Sequence, residues 1–452
     1  MSGPAATTQA RFLTGSTLRH VIIMTLTGAL GLMSLFLVDL ADLYFLSLLQ
    51  ITEVTAAIGY AGTIVFCNLS VSIGTGIAAA ALVARNLGAG EPARAREYAT
   101  SALMFSLLMS AAITLAIAIG SGPLLSLLGA KGEAKHLAQL FIWTLTPGYI
   151  LISGAVCCSF ILRGLGDAKR AMYVTLSLAI ITAILDPIFI FGFGWGIQGA
   201  AAANVVAYAA AFGMGVHDVS KVHGFINPMR FSGLKRDFPA IRAIALPAML
   251  TQLATPFANA YITYEVAPFG DEAVAASAII GRVIPVGFGM IFALAGSVGP
   301  IIGQNHGGRK FDRVKQTLND GLMFSAVYTT ITAILLFVFR HQIAEAFNAS
   351  GRTVDLVVFF CTYIAISWAF VGALFVSNAA FNNLGRPNLS TWFNWGRATL
   401  GTIPFAMGGS YLAGPEGFLA GTAIGSVIFG IASAITAYKI AGTSGQAGRA
   451  GR

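Results

Sequence analysis

The stretch AMYVTLSLAIITAILDPIFIFGFGWGIQGAAAANVVAYAAAFGMGVH, residues 171–217, decides the fold class of this protein. Two apolar runs, 171–193 and 197–217, are separated only by a short turn of glycine and aromatic residues. A helix of about 20 apolar residues is long enough to cross the hydrocarbon of a bilayer. The stretch therefore predicts two membrane-spanning helices joined by a tight turn, and the first of them contains a carboxylate, Asp186.

Similar apolar runs fill the rest of the chain. Of its 452 residues, 56% are hydrophobic and 10% are charged, whereas about 25% of the residues in a soluble domain are charged. We therefore predict an all-α integral membrane protein with twelve transmembrane helices and no soluble catalytic domain. The predicted helices are 18–46, 53–82, 97–120, 136–160, 171–193, 197–217, 241–266, 273–301, 316–340, 355–381, 390–411 and 417–440.

The longest polar interruption, 217–242, divides these helices into two sets of six. The sequence predicts an N-terminal six-helix lobe, 1–228, and a C-terminal six-helix lobe, 229–452. An internal repeat supports this division, because a shift of 219 residues aligns Leu-Met-Phe-Ser at 103–106 with the same four residues at 322–325. Six helices is an even number, so both repeats begin on the same side of the membrane. The two bundles are then expected to be related by a pseudo-two-fold axis along the membrane normal.

The basic residues indicate the orientation. If the N-terminus is cytoplasmic, 22 of the 27 lysines and arginines, Arg397 among them, fall on the cytoplasmic side. The other five are Lys131, Lys135, Arg282, Arg340 and Arg352. This excess follows the positive-inside rule and predicts that both termini are cytoplasmic. The net charge of +9 is thereby explained without nucleic acid as a partner.

Cysteines and histidines give no sign of a metal or haem centre. Cys67, Cys157, Cys158 and Cys361 lie inside apolar runs without metal-ligand spacing, and the histidines lie near loops. We therefore expect buried free thiols, no metal site and no cofactor.

Three carboxylates, Asp39, Asp42 and Asp186, lie inside predicted spans. A carboxylate is costly in hydrocarbon, and such residues usually face a cavity and mark ion paths. At a rise of ~1.5 Å per residue, Asp186 and Asn204 lie at nearly the same height in helices 5 and 6. A structural alternative stays open, in which the helix 1 aspartates end that helix at the headgroups and Asp186 precedes a kink at Pro187.

Three segments resemble the multidrug and toxic compound extrusion (MATE) family of secondary transporters, and the resemblance covers nearly the whole chain. They are GTGIAAAALVARNLGAGEPARAREY at 74–98, ILRGLGDAKRAMY at 161–173 and ILDPIFIFGFGWGIQGAAAAN at 184–204. The resemblance implies a twelve-helix transporter that couples export of a substrate to import of an ion.

The same resemblance implies the site residues. Asp186 matches the helix 5 carboxylate of the family, and Asp42 fits the helix 1 carboxylate better than Asp39, although the choice between these two stays open. Thr182 and Asn204 stand where relatives carry polar partners of the helix 5 carboxylate. The acidic residues that some relatives carry in the second half are missing, since Thr255 and Val371 fall at those positions.

The resulting prediction is an ion-coupled antiporter, monomeric and in the cell inner membrane, that exports organic cations by alternating access. Protons are the expected coupling ion, because burial beside a like charge favours the neutral form of a carboxyl group. A sodium-coupled exporter is one alternative. A second is a flippase for lipids or lipid-linked oligosaccharides, although flippase cavities are commonly cationic and the predicted intramembrane charge here is acidic. A membrane enzyme or a channel is disfavoured.

The topology can be tested with single cysteines introduced after the native cysteines are replaced. A cysteine at Gly308 is predicted to be cytoplasmic and should resist an impermeant thiol reagent in intact cells, whereas one at Gly194 should react. Labelling is read by gel shift, with permeabilised cells as the control in which both sites react. The opposite labelling pattern would reverse the predicted orientation.

Overall fold

The computed structural model describes residues 9–47 and 52–450, and over these ranges it is helical without strands. The structure does not describe some side chains within these ranges. They are those of Leu35, 39–43, Ser47, Thr52, Thr55, Thr63, Val65, Cys67 and 444–450. The helices are α1 Thr17–Ser47, α2 Thr52–Gly88, α3 Pro92–Leu127, α4 Gly132–Gly164, α5 Ala168–Pro187, α6 Gly196–His217, α7 Phe231–Val266, α8 Asp271–Gly307, α9 Phe311–Val338, α10 Arg340–Ala346, α11 Arg352–Phe359, α12 Trp368–Asn383, α13 Pro387–Ala398 and α14 Ile403–Ala450.

Each predicted span coincides with helix, which confirms an all-α membrane protein. Among the described residues, ten helical segments are long and apolar enough to cross a membrane, and one of them, Pro387–Thr443, is long enough for two spans. Predicted helix 10 consists of α11 and α12 joined by a π-helical and a 3-10 turn. Predicted helices 11 and 12 meet within α14, where Ala413 and Gly414 are non-helical.

The chain divides into two units. Unit 1 comprises Leu30–Met249 and the residues before Phe12, and unit 2 comprises Phe12–Ala29 and Leu250–Arg452. The division therefore falls within α1 and α7 and differs from the predicted lobe boundary at residue 228. The reason lies in packing, because the first half of α7 contributes Ile241, Ala245 and Met249 to the apolar core of unit 1.

Hydroxyl side chains join the helices of unit 1 inside its apolar core. Ser106 of α3 hydrogen-bonds Ser153 of α4 at 2.8 Å and Thr75 of α2 at 3.0 Å. Closer to the middle of the helices, the Asn68 amide donates to Ser110 and Thr114 at 3.2 and 3.1 Å. Such bonds hold transmembrane helices in register, because hydrocarbon offers these groups no other partner.

The turn between α4 and α5 is held to the segment after α6. Asp167 is the N-cap of α5 and accepts hydrogen bonds from the backbone and the guanidinium of Arg170, at 3.2 and 2.8 Å. The buried ring of His223 lies 3.0 Å from the same carboxylate. Burial alone would raise the pKa of Asp167, but the hydrogen bonds from His223 and Arg170 outweigh it and lower the pKa. The start of α5 and the segment that follows α6 are therefore held together at this cluster.

The start of α7 is fixed to α3 by a buried carboxylate. Asp237 is fully buried, accepts a hydrogen bond from Ser101 at 2.7 Å and forms ion pairs with Arg94 at 2.8 Å and Arg236 at 3.0 Å. Burial would raise the pKa of Asp237, yet the hydrogen bonds from Arg236 and Ser101 and the two positive charges outweigh it and lower the pKa. Asp237 therefore stays ionised at neutral pH.

Unit 2 is organised around α8 and α12, which pack on each other and on α9, while α14 packs on α12 and α9. The N-terminal segment of the chain closes one end of this unit. The Phe12 amide donates to the side chain of Gln304 at 2.9 Å, and Arg313 donates to the carbonyl oxygens of Phe12 and Gly15, both at 2.9 Å.

Replacing Asp237 with asparagine should destabilise the protein by about 2 kcal/mol at pH 7, because it removes a buried carboxylate that accepts hydrogen bonds from Ser101 and Arg236 and pairs with Arg94. The measurement is the thermal unfolding midpoint in detergent. The matched control is Glu97→Gln, whose carboxylate is 36% exposed and which should cost under about 1 kcal/mol.

The destabilisation should also depend on pH. A lowered folded pKa means that Asp237 stabilises the protein above the ordinary aspartate pKa of ~3.9 and that this stabilisation is lost as the pH falls through the folded value. The difference between the wild type and Asp237→Asn should therefore shrink on acidification. A difference that grows on acidification would contradict the ion-pair explanation.

Candidate functional site

The predicted helix 5 carboxylate lies at the end of α5. Asp186 is fully buried, and so is Thr182 one turn earlier on the same face. After Pro187 the helix continues as a π-helical turn, Ile188–Gly192, which the Phe193 amide closes by donating to the Ile188 carbonyl at 2.9 Å. π-helical turns are rare in proteins, and those that occur are often found at functional sites.

Asn204 of α6 lies against this face of α5. The Thr182 hydroxyl donates to the side-chain oxygen of Asn204 at 3.4 Å, and the Asn204 amide donates to the Ala200 carbonyl at 3.2 Å. Asn204 is 2% exposed. The structure thus brings together Thr182 and Asn204 and places Asp186 one helical turn away.

A glycine lets α6 approach the π-helical turn. A Cβ atom on Gly199 would lie 2.6 Å from the carbonyl oxygen of Phe189 and 2.9 Å from the backbone nitrogen of Ile190. These are backbone atoms that cannot rotate away. Gly199 therefore fixes the distance at which Asn204, little more than one turn further along α6, meets α5.

The helix 1 aspartates lie on α1, and their side chains are outside the described residues. The backbone nevertheless gives their height in unit 1. A Cβ on Gly31 would lie 2.4 Å from the Thr175 hydroxyl, and Ser34 donates to the Thr175 carbonyl at 3.3 Å. Because α1 and α5 run in the same direction from this contact, eleven further residues lead to Asp42 on one helix and to Asp186 on the other.

Sequence reasoning missed a buried arginine in unit 1. Arg163 in the last turn of α4 is 6% exposed, and its guanidinium would lie 3.7 Å from a Cβ on Gly31. The helix C-terminus carries partial negative charge that favours a cation there. Arg163 was predicted as a loop residue because its neighbours, Gly164 to Lys169, are turn-forming and polar.

Two basic residues of unit 2 lie inside spans that the sequence predicts, Arg282 in 273–301 and Arg397 in 390–411, although the count of charges by membrane side includes each with the nearest loop. Arg282 lies eleven residues into α8, and Arg397 lies ten residues into α13. A single basic residue within an apolar run does not interrupt the run, so a count of loop charges includes it with the nearest loop.

The other predicted groups stay apart from this site. Cys157, Cys158 and Cys361 are buried thiols, and Cys67 lies outside the described side chains. Over residues 9–47 and 52–450, the described side chains form no cluster of three histidine, cysteine or carboxylate groups.

Comparison with known proteins places these elements among transporters. The chain matches the family described as MatE in two segments, 29–188 and 247–407. Their offset agrees with the internal repeat of 219 residues. A protein described as an FAD transporter of Shewanella oneidensis is similar, with 30% identity over 93% of this chain and 94% of its own length.

More distant relatives include drug exporters. The multidrug export protein MepA of Staphylococcus aureus is 23% identical over 76% of this chain and 77% of its own length. The crystal structure of the Vibrio cholerae MATE transporter VcmN in the bent form is similar in fold, with a TM-score of 0.90, 24% identity, and coverage of 95% of this chain and 98% of that one.

A side chain at Gly199 should disturb the approach of α6 to α5. We expect Gly199→Val to lower transport at least tenfold, because the added carbons would displace the Phe189 backbone and separate Asn204 from Thr182. The measurement is substrate efflux from proteoliposomes containing equal amounts of purified protein.

The matched control is Gly213→Ala, on the same helix, where an added Cβ meets nothing within 4 Å. This variant should transport at the wild-type rate. Equal transport by Gly199→Val and the control would mean that the α5–α6 distance does not matter for function.

Proposed function

Because the chain belongs to the MatE family of membrane transporters, we propose that it exports small organic compounds in exchange for protons. Its first unit holds the coupling site, in which Asp186 and a helix 1 carboxylate bind the proton. Asp42 is the favoured helix 1 residue and Asp39 is the alternative, with Thr182 and Asn204 as polar partners. The observation that carries this proposal is the complete burial of Asp186 beside the Thr182–Asn204 pair.

The chemistry of a buried carboxyl group favours a proton over sodium. A carboxyl group in an apolar surrounding is more stable neutral than charged, and a second carboxylate at the same height strengthens this preference. Sodium needs several oxygen ligands that converge on one point. Thr182, Asn204 and two carboxylates supply enough oxygens in number, so sodium coupling is the alternative that the experiment must exclude.

Competition between substrate and proton gives the exchange its direction. An organic cation binds the ionised carboxylates better than the neutral ones, so protonation from the acidic side releases it there. Linkage requires the reciprocal effect, in which the bound cation favours loss of the proton. We propose that this occurs by alternating access in a monomer in the plasma membrane, with both termini cytoplasmic.

A second candidate substrate class is the flavin nucleotides. The Shewanella protein described as an FAD transporter is similar along nearly the whole chain at 30% identity, compared with 23% for MepA. Lipid or lipid-linked oligosaccharide translocation remains the alternative outside small-molecule export.

The proposal is tested with purified protein in liposomes. Asp186→Asn and Asp42→Asn should abolish substrate transport driven by a pH gradient, because each removes a titratable group in an apolar surrounding. Asp39→Asn should have a milder effect. Ethidium and flavin adenine dinucleotide serve as the two substrate probes, and the control is Asp355→Asn, whose side chain is 65% exposed on α11 and should leave transport unchanged.

The coupling ion is read in the same liposomes. A pH gradient without sodium should drive wild-type transport, and addition of the cation to protein in weakly buffered detergent should release protons. Transport that follows a sodium gradient at constant pH, without proton release, would replace the proton by sodium. Wild-type transport by both Asp186→Asn and Asp42→Asn would refute the coupling site itself.

A further inference from the structure

One end of unit 2 contains a groove between four helices. Its walls come from the end of α9, from α10, from α11 with its π-helical extension, and from α14 just after the non-helical Gly414. The groove has a volume of about 520 Å³. Arg340, His341 and Glu416 line it, and Asp355 lies at its rim, where its side chain is 65% exposed. The groove therefore brings groups of both charges together in one place.

The groove lies where three spans leave the hydrocarbon. Arg340, Asp355 and Glu416 each border a stretch without charged side chains. These stretches are 321–339, 356–385 and 417–438. At a rise of ~1.5 Å per residue the first of them covers about 28 Å, which matches a hydrocarbon layer about 30 Å thick. Because all three charged residues belong to one groove, the groove lies at the level of the lipid headgroups.

Arg340 supplies a positive charge that the surrounding side chains leave available. Its guanidinium lies over the ring of Phe337, 4.4 Å from the centroid, and donates a hydrogen bond to the Phe337 carbonyl at 2.6 Å. Within the described part of the chain, Arg340 forms no ion pair. A guanidinium has five N–H donors in one plane. The contacts with Phe337 therefore fix its position and leave donors for a ligand, and the ring of His341 beside it can add another.

The two carboxylates of the groove share one arginine. Both oxygens of Glu416 contact the guanidinium of Arg352, at 2.5 and 2.7 Å, and the Asp355 carboxylate lies 3.9 Å from the same group. A carboxylate has about four lone-pair positions, so Glu416 can accept further hydrogen bonds. Its side chain is 22% exposed, whereas water screens the more exposed carboxylate of Asp355. Glu416 is therefore the better acceptor for a ligand.

The formal charges around the groove balance. Arg340 and Arg352 are positive, and Asp355 and Glu416 are negative. A ligand with a single charge would meet a charge of its own sign in the same groove, and such a juxtaposition is costly. A ligand with both a phosphate and an ammonium group places the phosphate at Arg340 and the ammonium at Glu416. The charges therefore fit a zwitterion.

An exposed apolar face of α9 leads to the groove. The residues of this face follow the spacing of one side of a helix, and each is more than half exposed. They are Ile331, Ile334, Leu335 and Val338. In a span such a face contacts acyl chains, which are as apolar as these side chains. Because the face ends two residues before Arg340, a phospholipid whose chains lie along α9 has its headgroup at the groove.

We propose that the groove binds the headgroup of phosphatidylethanolamine, with its phosphate at Arg340 and its primary ammonium at Glu416. A planar guanidinium engages two phosphate oxygens at once, and a primary ammonium has three N–H donors for a carboxylate. The bound headgroup joins α10 to α14 and so stabilises this end of unit 2. Lipid binding of this kind is independent of the proposed export function.

The choice of ethanolamine over choline follows from the same contacts. The quaternary ammonium of choline has no N–H donor and binds best over an open aromatic face. The guanidinium of Arg340 covers the ring of Phe337, and the rings of Phe359 and Tyr363 contact each other, with centroids 5.2 Å apart. The groove thus offers a carboxylate acceptor more readily than an aromatic cage.

Lipids that share their acyl chains and differ in the headgroup test this assignment. Native mass spectrometry of the purified full-length protein in detergent measures the dissociation constant of the first bound lipid. The probes are phosphatidylethanolamine, its mono- and dimethyl derivatives, phosphatidylcholine and phosphatidylglycerol. The wild type should bind phosphatidylethanolamine more tightly than phosphatidylcholine by at least about fivefold, because each methyl group replaces a hydrogen-bond donor to Glu416. The affinity should fall stepwise along the methylated series.

Matched substitutions locate the site. Glu416→Gln should remove the preference for phosphatidylethanolamine while the affinity for phosphatidylcholine stays unchanged, which also shows that the variant is folded. Asp355→Asn removes the same charge from the exposed rim and should alter the preference by less than about twofold. Arg340→Gln should weaken the binding of both lipids by about tenfold, and Arg340→Lys should restore part of it. Arg309→Gln, an exposed residue just before α9, should leave both affinities unchanged.

A soluble headgroup separates a lipid from a free zwitterion. Glycerophosphoethanolamine at the concentration of the lipid should not displace it, because it lacks the acyl chains that contact α9. Displacement at equal concentration would overturn the lipid as the ligand. Equal affinity of the wild type for phosphatidylethanolamine and phosphatidylcholine, tighter binding of phosphatidylglycerol, or a preference that persists in Glu416→Gln would each overturn the headgroup assignment.

Discussion

Hydrocarbon supplies no hydrogen-bond partner, and each polar side chain within a span must find one inside the protein or beside water. In unit 1 this constraint produces the bonds of Ser106 to Thr75 and Ser153 and of Asn68 to Ser110, which hold α2, α3 and α4 in register. The same constraint brings α6 to α5, where Thr182 and Asn204 bond each other next to a buried carboxyl group. The need of buried polar groups for hydrogen-bond partners therefore determines both how these helices pack and where the polar side chains of the candidate site lie.

Charge follows the constraint as well, but with a different outcome in each unit. In unit 1 the deeply placed titratable group is Asp186, on a helix that continues into a π-helical turn. In unit 2 the charges at mid-span are the guanidinium groups of Arg282 and Arg397, and the acidic residues of α8 and α14 lie at the ends of spans.

The ends of the spans have their own anchors. Asp167 joins the turn before α5 to His223, and Asp237 joins the start of α7 to α3 through Arg94 and Ser101. These ion pairs lie outside the apolar part of the helices, where water still reaches one partner, so the charges can stay ionised. They explain why α7 begins a full ten residues before its apolar run and why its first half belongs to unit 1.

The sequence by itself determined the class of fold and the presence of Thr182, Asp186 and Asn204 at nearly the same height in helices 5 and 6. Long apolar runs indicate directly which segments cross the lipid. A carboxylate in such a run is easy to recognise as unusual, because hydrocarbon excludes charged groups. The sequence did not determine where the chain divides into its two units. Nothing in the sequence of α7 identifies Met249 as the residue at which its contacts change from the core of unit 1 to that of unit 2. It also did not reveal that Arg163 is buried, because the residues that follow it are turn-forming and polar. Only the tertiary structure decided these points, since the packing of neighbouring helices sets the depth and the partners of a side chain.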